Sequence, residues 1–228
     1  MRRKVKYVMP HRRRREGKTD YRLRLKLLKS RKPRFVVRKS NKNVICQVIK
    51  YEEKGDKTIA SAEARELKHF GWYFNSANLP SAYLTGLLCA QRAKKHKIKE
   101  LVFDIGLYAK TRGNILFAAL KGALDGGMEI PYNEEILPSD DRICGKHIVA
   151  YAEKLKGEDP AKYRKQFSGY LKAKLDIKDL PLIFENVKNK ILETKGEKEK
   201  RHANTKHKTK GEETHREEEA HIKTKSNS

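Results

Sequence analysis

The chain has only three cysteines in 228 residues, Cys46, Cys89 and Cys144, and none forms a CxxC pair. That spacing excludes a cysteine-type zinc site and a disulfide framework, and it fits a reducing compartment. No apolar run approaches the roughly 18 residues that suggest a membrane span, and no apolar segment follows the basic residues after Met1, so neither a membrane segment nor a secretory signal is expected. Hydrophobic residues are scarce at 37%, beside 36% charged, so the core is modest and part of the chain should depend on a partner for order. Acids are scarcest at the N-terminus. Residues 1–40 hold 18 Lys or Arg against Glu16 and Asp20 alone, which places +16 of the formal +25 charge in that stretch.

Catalytic patterns are equally thin. Gly17-Lys18-Thr19 matches the end of a phosphate-binding loop, but the glycine required five residues earlier is Arg12, and no buried strand precedes it. Gly106 and Gly113 do not make a GxGxxG turn. A nuclease needs clustered carboxylates to hold divalent metals. Asp104, at a strand end, is the one acid in the right kind of place, and the strand at 34–39 offers only Arg and Lys as ionisable groups. One acid does not make a two-metal site, and Asp104 is expected to cap the loop after it. No Ser/His/Asp or Cys/His arrangement stands out. His202, His207, His215 and His221 are irregularly spaced in a polar tail and predict no metal centre. The chain therefore reads as a non-enzyme without a cofactor.

What the sequence does have is a basic arm, residues 1–33, centred on Arg12-Arg13-Arg14-Arg15-Glu16-Gly17-Lys18-Thr19-Asp20-Tyr21-Arg22-Leu23-Arg24. Such a density of like charge repels itself in isolation and becomes favourable when a polyanion neutralises it and counterions are released. Guanidinium groups grip phosphate oxygens in pairs and stack on bases, and Tyr21 adds a stacking face. A solubilising tail or a targeting run is the competing reading. Leu23, Leu25, Leu27 and Leu28 predict a short helix within 20–30 on binding, ended by Pro33.

After the arm, strands are predicted at 34–39, 44–51 and 58–61, joined by turns at 40–43 and 54–57. The Arg and Lys at the ends of this meander suit either a second phosphate-facing surface or an ordinary sheet edge guarded by lysine. A short helix at 62–69 precedes the aromatic cluster Phe70-Gly71-Trp72-Tyr73-Phe74, fit for base stacking or for core packing. Apolar residues at helical spacing mark 79–95 and 114–125, with a buried-type strand at 101–106 and a basic loop at 107–113 between them. The order argues for an α/β layer structure. Ser139 is expected to cap a helix over 140–155 with Ile143, His147, Ile148, Tyr151 and Leu155 on one face; it suits a protein contact, an RNA contact or a cover for the sheet. Asp159-Pro160 opens another helix, and a last one is expected at 180–192. Residues 193–228 carry 10 Lys or Arg and 8 acids, with Ala203, Ala220 and Ile222 as their only aliphatic side chains, and predict a tail disordered in isolation. The domain reading is thus arm 1–33, α/β core 34–132, helical extension 133–192 and tail 193–228.

Taken in order, several segments resemble one family. They are the arm from Arg12 to Leu28, then Lys32-Pro33-Arg34-Phe35-Val36-Val37-Arg38-Lys39-Ser40-Asn41, Asn78-Leu79-Pro80-Ser81-Ala82-Tyr83-Leu84-Thr85-Gly86-Leu87-Leu88, and Phe103-Asp104-Ile105-Gly106-Leu107. Phe117-Ala118-Ala119-Leu120-Lys121-Gly122-Ala123, Glu129-Ile130-Pro131 and Asp141-Arg142-Ile143-Cys144-Gly145-Lys146-His147-Ile148 complete the set. Over roughly residues 5–175 the chain resembles the large-subunit ribosomal proteins of the universal L-eighteen family in their archaeal form. The resemblance implies a three-layer α/β core related in topology to ribonuclease H but without its catalytic acids, in a cytoplasmic ribosome. It further implies binding to 5S rRNA in the central protuberance, beside the large-subunit 23S-type rRNA and a second 5S-binding protein. It carries RNA contact onto Arg12, Arg13, Arg14, Arg15, Lys18, Tyr21, Arg22 and Arg24, and then onto Arg34, Arg38, Lys39, Lys110 and Arg112. A general RNA binder or RNA chaperone without a dedicated RNA is the alternative. The tail at 193–228 has no counterpart in the resemblance.

Overall fold

The computed structural model describes residues 8–10 and 12–193. The expectations for the tail and its histidines fall, apart from residue 193, outside the described residues. Two helices form within the arm: the turn α1 (Arg12–Arg15) and α2 (Tyr21–Leu28). The Asp20 carboxylate caps α2 by accepting hydrogen bonds from the backbone N–H groups of Arg22 and Leu23 at 2.9 and 3.0 Å. This helix, expected only on binding, is formed in the chain alone, capped by Asp20 and tied to the body by the Arg24–Asp56 ion pair.

The sheet is built from β1 (Arg34–Lys39), β2 (Val44–Lys50) and β3 (Lys57–Glu63) as an antiparallel meander, with β4 (Val102–Asp104) parallel to β1. The order is β3-β2-β1-β4, and a parallel bridge between Glu100 and Glu129 lies beside the start of β4. A mixed open sheet of four strands fits the α/β class that the resemblance implied. Side chains alternate between the two faces. Phe35 and Val37 pair with Val48 and Cys46 on one face, and all four are fully buried. Arg34, Val36 and Arg38 point to the other, beside Ile49, Gln47 and Asp104.

On the apolar face lie α3 (Leu79–Lys95) and α4 (Ile115–Asp125). α3 starts from a reciprocal capping box between Asn78 and Ser81 with Pro80 in its first turn, and nearly all of its side chains are buried. Phe103 stacks between Phe35 and Phe117 and joins sheet to α4. With α2 on the opposite face the body has three layers, α2, sheet, and α3–α4. A last helix, α9 over residues 180–193, adds Leu180, Phe184, Val187 and Ile191 to the same core, with Phe184 5.5 Å from the Tyr83 ring.

Several boundaries differ from the sequence reading. β3 extends to Glu63, since Ala60 and Ala62 alternate into the core, and the expected helix at 62–69 becomes a 3-10 helix over Ala64–Phe70. The strand at 101–106 shortens to three residues because Gly106 takes φ +65° and turns the chain. The helix at 140–155 is broken by Gly145 at φ +85° into α5 (Asp140–Ile143) and α6 (Lys146–Glu158), and Ser139 makes no side-chain cap. Within α6 itself Ile148, Ala152 and Leu155 form the face turned inward, while His147 and Tyr151, about 100° per residue further round the helix, are exposed. Asp159 does cap the next helix, α7 (Pro160–Gln166), through the Lys162 N–H, and α8 (Ser168–Lys172) follows. In the aromatic cluster Trp72 and Phe74 are core residues, Phe74 meeting Tyr170 edge-on, while Tyr73 faces outward.

Candidate nucleic-acid interface

The sheet face under α2 carries a lattice of charge. Arg34, 4% exposed, donates to Asp104 Oδ2 at 2.8 Å and to Asp56 Oδ2 at 2.6 Å. Arg38 donates to Asp104 Oδ1 at 3.2 Å and to the Asp104 carbonyl at 2.9 Å. Asp104 also accepts from the Gly106 N–H at 2.8 Å, so it does cap its loop, but its larger task is to neutralise two guanidinium groups. Both carboxylate oxygens of Asp104, at the C-terminal end of β4, are thus engaged by arginine. Among the described residues no group of three or more His, Cys, Asp or Glu is placed to hold a metal ion.

Asp56, in the turn between β2 and β3, links this lattice to the arm. It accepts from Arg24 of α2 at 2.9 Å as well as from Arg34. Partial burial pushes the Asp56 carboxyl up, but the hydrogen bonds and charges of Arg24 and Arg34 outweigh it and hold it below the ordinary 3.8. Stability from such a depressed group is full above its unfolded value and is lost as pH falls through the folded one. The Arg24–Asp56 link is therefore intact at neutral pH and fails only in acid below 3.8. Asp56→Asn should loosen α2 by about 1–2 kcal/mol, since the side chain is partly solvated. Faster hydrogen exchange confined to the α2 amides is the expected readout; unchanged exchange there would remove Asp56 as the link.

The outer surface of the arm has a different character. Arg12, Arg13, Arg14, Arg15, Lys18 and Arg22 are exposed, and α1 buries nothing. Arg12 and Lys18 share Glu16 at 2.9 and 2.8 Å, and Arg13 donates to the Thr19 hydroxyl at 2.9 Å. These solvated contacts hold the geometry lightly and leave guanidinium groups facing outward. Tyr21 is 36% exposed at the start of α2.

The remaining predicted residues separate. Lys39 stands 6.0 Å from the centre of the Tyr108 ring, whose hydroxyl donates to the Lys39 carbonyl at 2.5 Å. Lys110 is exposed, and Arg112 is exposed with a solvated bond to Glu135 at 3.1 Å. Arg34 is the outlier: it is inside the protein with both terminal nitrogens engaged, and it serves the arm's docking. The strand parity that sends Phe35 and Val37 into the core sends Arg34 to this face, but its acidic partners, Asp56 in a turn and Asp104 at the end of β4, are distant in sequence. Sequence reading missed Asp56, Gln47 and Tyr108. The one signal for Asp56 is an acid in a turn otherwise flanked by lysine.

A cleft of about 890 Å³ separates the arm from the sheet. Its floor is Val36, Gln47 and Ile49; Gly17 to Leu27 form one wall, and Leu107 and Tyr108 form the other. Arg13, Lys18 and Arg24 stand along the arm side, and Arg38 on the sheet side.

A basic α/β body, with a cation-rich helical arm fastened across one sheet face and guanidinium groups left exposed along it, has the surface chemistry suited to a polyanion; no described helix is long and apolar enough to cross a membrane. The chain belongs to the family described as ribosomal large subunit proteins 60S L5 and 50S L18, whose family model matches residues 5–101 and 93–133. The arm from residue 5 onward and the sheet with α3 and α4 fall within the match.

Proposed function

We propose that this protein binds 5S rRNA and helps attach it to the large-subunit rRNA in the central protuberance of a cytoplasmic, archaeal-type ribosome, beside a second 5S-binding protein. Family membership supports the ribosomal part of this reading. The observation that carries the RNA part is the division of the arginines: Arg24 and Arg34 anchor the arm to Asp56, while Arg12 to Arg15 and Arg22 are left outside. The outer group takes phosphates, with Lys18, Tyr21, Lys39, Lys110 and Arg112 as further contacts. Arg34 and Arg38 act through the arm and loop they position. A pre-docked helix lowers the ordering cost of binding compared with a free tail. Specificity then comes from RNA shape and splayed bases, because the A-form major groove is too narrow for side chains. The role is structural and not catalytic, consistent with the arginine pair that occupies Asp104.

Attachment is tested by sedimentation. Protein mixed with 5S rRNA and large-subunit rRNA should carry 5S rRNA into the fast fraction. If 5S rRNA sediments slowly whether or not the protein is present, attachment is not its role.

A further inference from the structure

The cleft between arm and sheet is larger than docking an arm requires, and its lining is mixed in a specific way. Its floor is aliphatic, Val36 and Ile49, with one amide, Gln47, directly opposite Val36 across the β1–β2 ladder. Gln47 is half-buried, and none of its side-chain atoms has a hydrogen-bond partner among the described residues. Its amide is the one group on the floor that both donates and accepts. Arg34 also lines the cleft; its side chain is 5% exposed, and its Nε is buried without a partner among the described residues. Buried donors are rarely left unmet, so an unsatisfied one beside a cavity points to a missing acceptor. Cations line the arm side, while the acids in the lining, Asp20, Asp56 and Asp104, are already committed to the α2 cap or to arginines.

We propose that this cleft receives one unstacked nucleotide of the bound RNA, with the base over Val36 and Ile49, its edge read by Gln47, and its phosphate held by Arg13 and Lys18. A base has two apolar faces and a polar edge, which suits this floor better than a bare phosphate would. The volume lies in the range of pockets that bury small ligands. The proposal rests on the RNA-binding reading above. It makes Gln47 a specificity-determining residue on a strand, where its placement is more rigid than on the arm.

The test uses full-length protein and 5S rRNA. Gln47→Leu keeps the size and strand position of the side chain but removes the edge contact. It should weaken 5S binding about tenfold while leaving the slope of log affinity against log salt unchanged, since no phosphate contact is lost. Chemical probing of the RNA should show one nucleotide whose backbone reactivity differs between the wild-type and Gln47→Leu complexes. Thermal unfolding of the variant, measured alongside, verifies that the body is intact. A second variant, Val36→Phe, fills the floor from below and should weaken binding in the same way. If wild type binds 5S rRNA and both variants match it in affinity and probing pattern, the pocket proposal is overturned and the RNA-binding reading stands. If wild type shows no affinity for 5S rRNA, both are overturned.

Discussion

Gly86→Ala should destabilise the body by about 3 kcal/mol or more, even though alanine is the better helix former by about 1 kcal/mol. Gly86 lies in α3 where the helix meets α4, and a Cβ there would fall on the carbonyl of Ala119, far inside contact. Gly122 of α4 makes the reciprocal approach, a Cβ there meeting the Tyr83 carbonyl and the Leu87 nitrogen. The obstructing atoms are backbone, which no rotamer change can move. The two helices must separate, and the tightly filled core between Leu87, Leu116 and Leu120 opens with them. Denaturant unfolding should show a lower midpoint for Gly86→Ala and for Gly122→Ala. Gly157→Ala is the contrast: it is helical, with nothing within 4 Å of its Cβ, and it should be neutral or stabilising by up to about 1 kcal/mol. Gly86→Ala within about 0.5 kcal/mol of wild type would mean that the two helices are not held this close.

Converting Arg12, Arg13, Arg14 and Arg15 together to alanine should cost on the order of 100-fold in RNA affinity at moderate salt. The slope of log affinity against log salt should flatten by about 0.7–0.9 for each phosphate contact removed. Stability should barely change, because α1 buries no side chain and its contact to Glu16 is solvated. This separates the arm's two roles. Asp56→Asn loosens α2 and lowers affinity with little change in slope, whereas the fourfold alanine variant changes slope with little change in docking. Equal slopes for the fourfold variant and wild type would take the α1 arginines out of the RNA contact.

The sequence made some of this arrangement readable and concealed the rest for identifiable reasons. Helices α3 and α4 were legible because Leu84, Leu87 and Leu88, and Leu116 and Leu120, recur at helical spacing, and the strands β1 and β2 because β-branched runs are bounded by turn residues. The location of positive charge was legible from counting alone. The state of each charge was not. Arg34 and Arg12 are the same residue type in the same basic stretch, yet one is buried against Asp56 and Asp104 and the other faces solvent. That difference arises from strand parity and from two acids 22 and 70 residues away, which no local pattern reports. The exposure of His147 was not legible either: it sits one residue before Ile148 on α6, and only the packed helix shows that the inward face is Ile148, Ala152 and Leu155. Gln47 carried no signal as one polar residue in a strand; only the arm folded over it gives it a cavity to face.

The most direct test of the central claim is binding of the purified full-length protein to 5S rRNA and to an unrelated structured RNA of equal length, each at two salt concentrations. Because rising salt reduces the gain from counterion release in both complexes alike, only contacts to a particular RNA shape or to splayed bases can preserve a difference between them. A dedicated 5S rRNA protein should prefer 5S rRNA at both concentrations, with the preference surviving the higher salt. Equal affinities that collapse together as salt rises would contradict it, leaving a general RNA binder that reads charge alone.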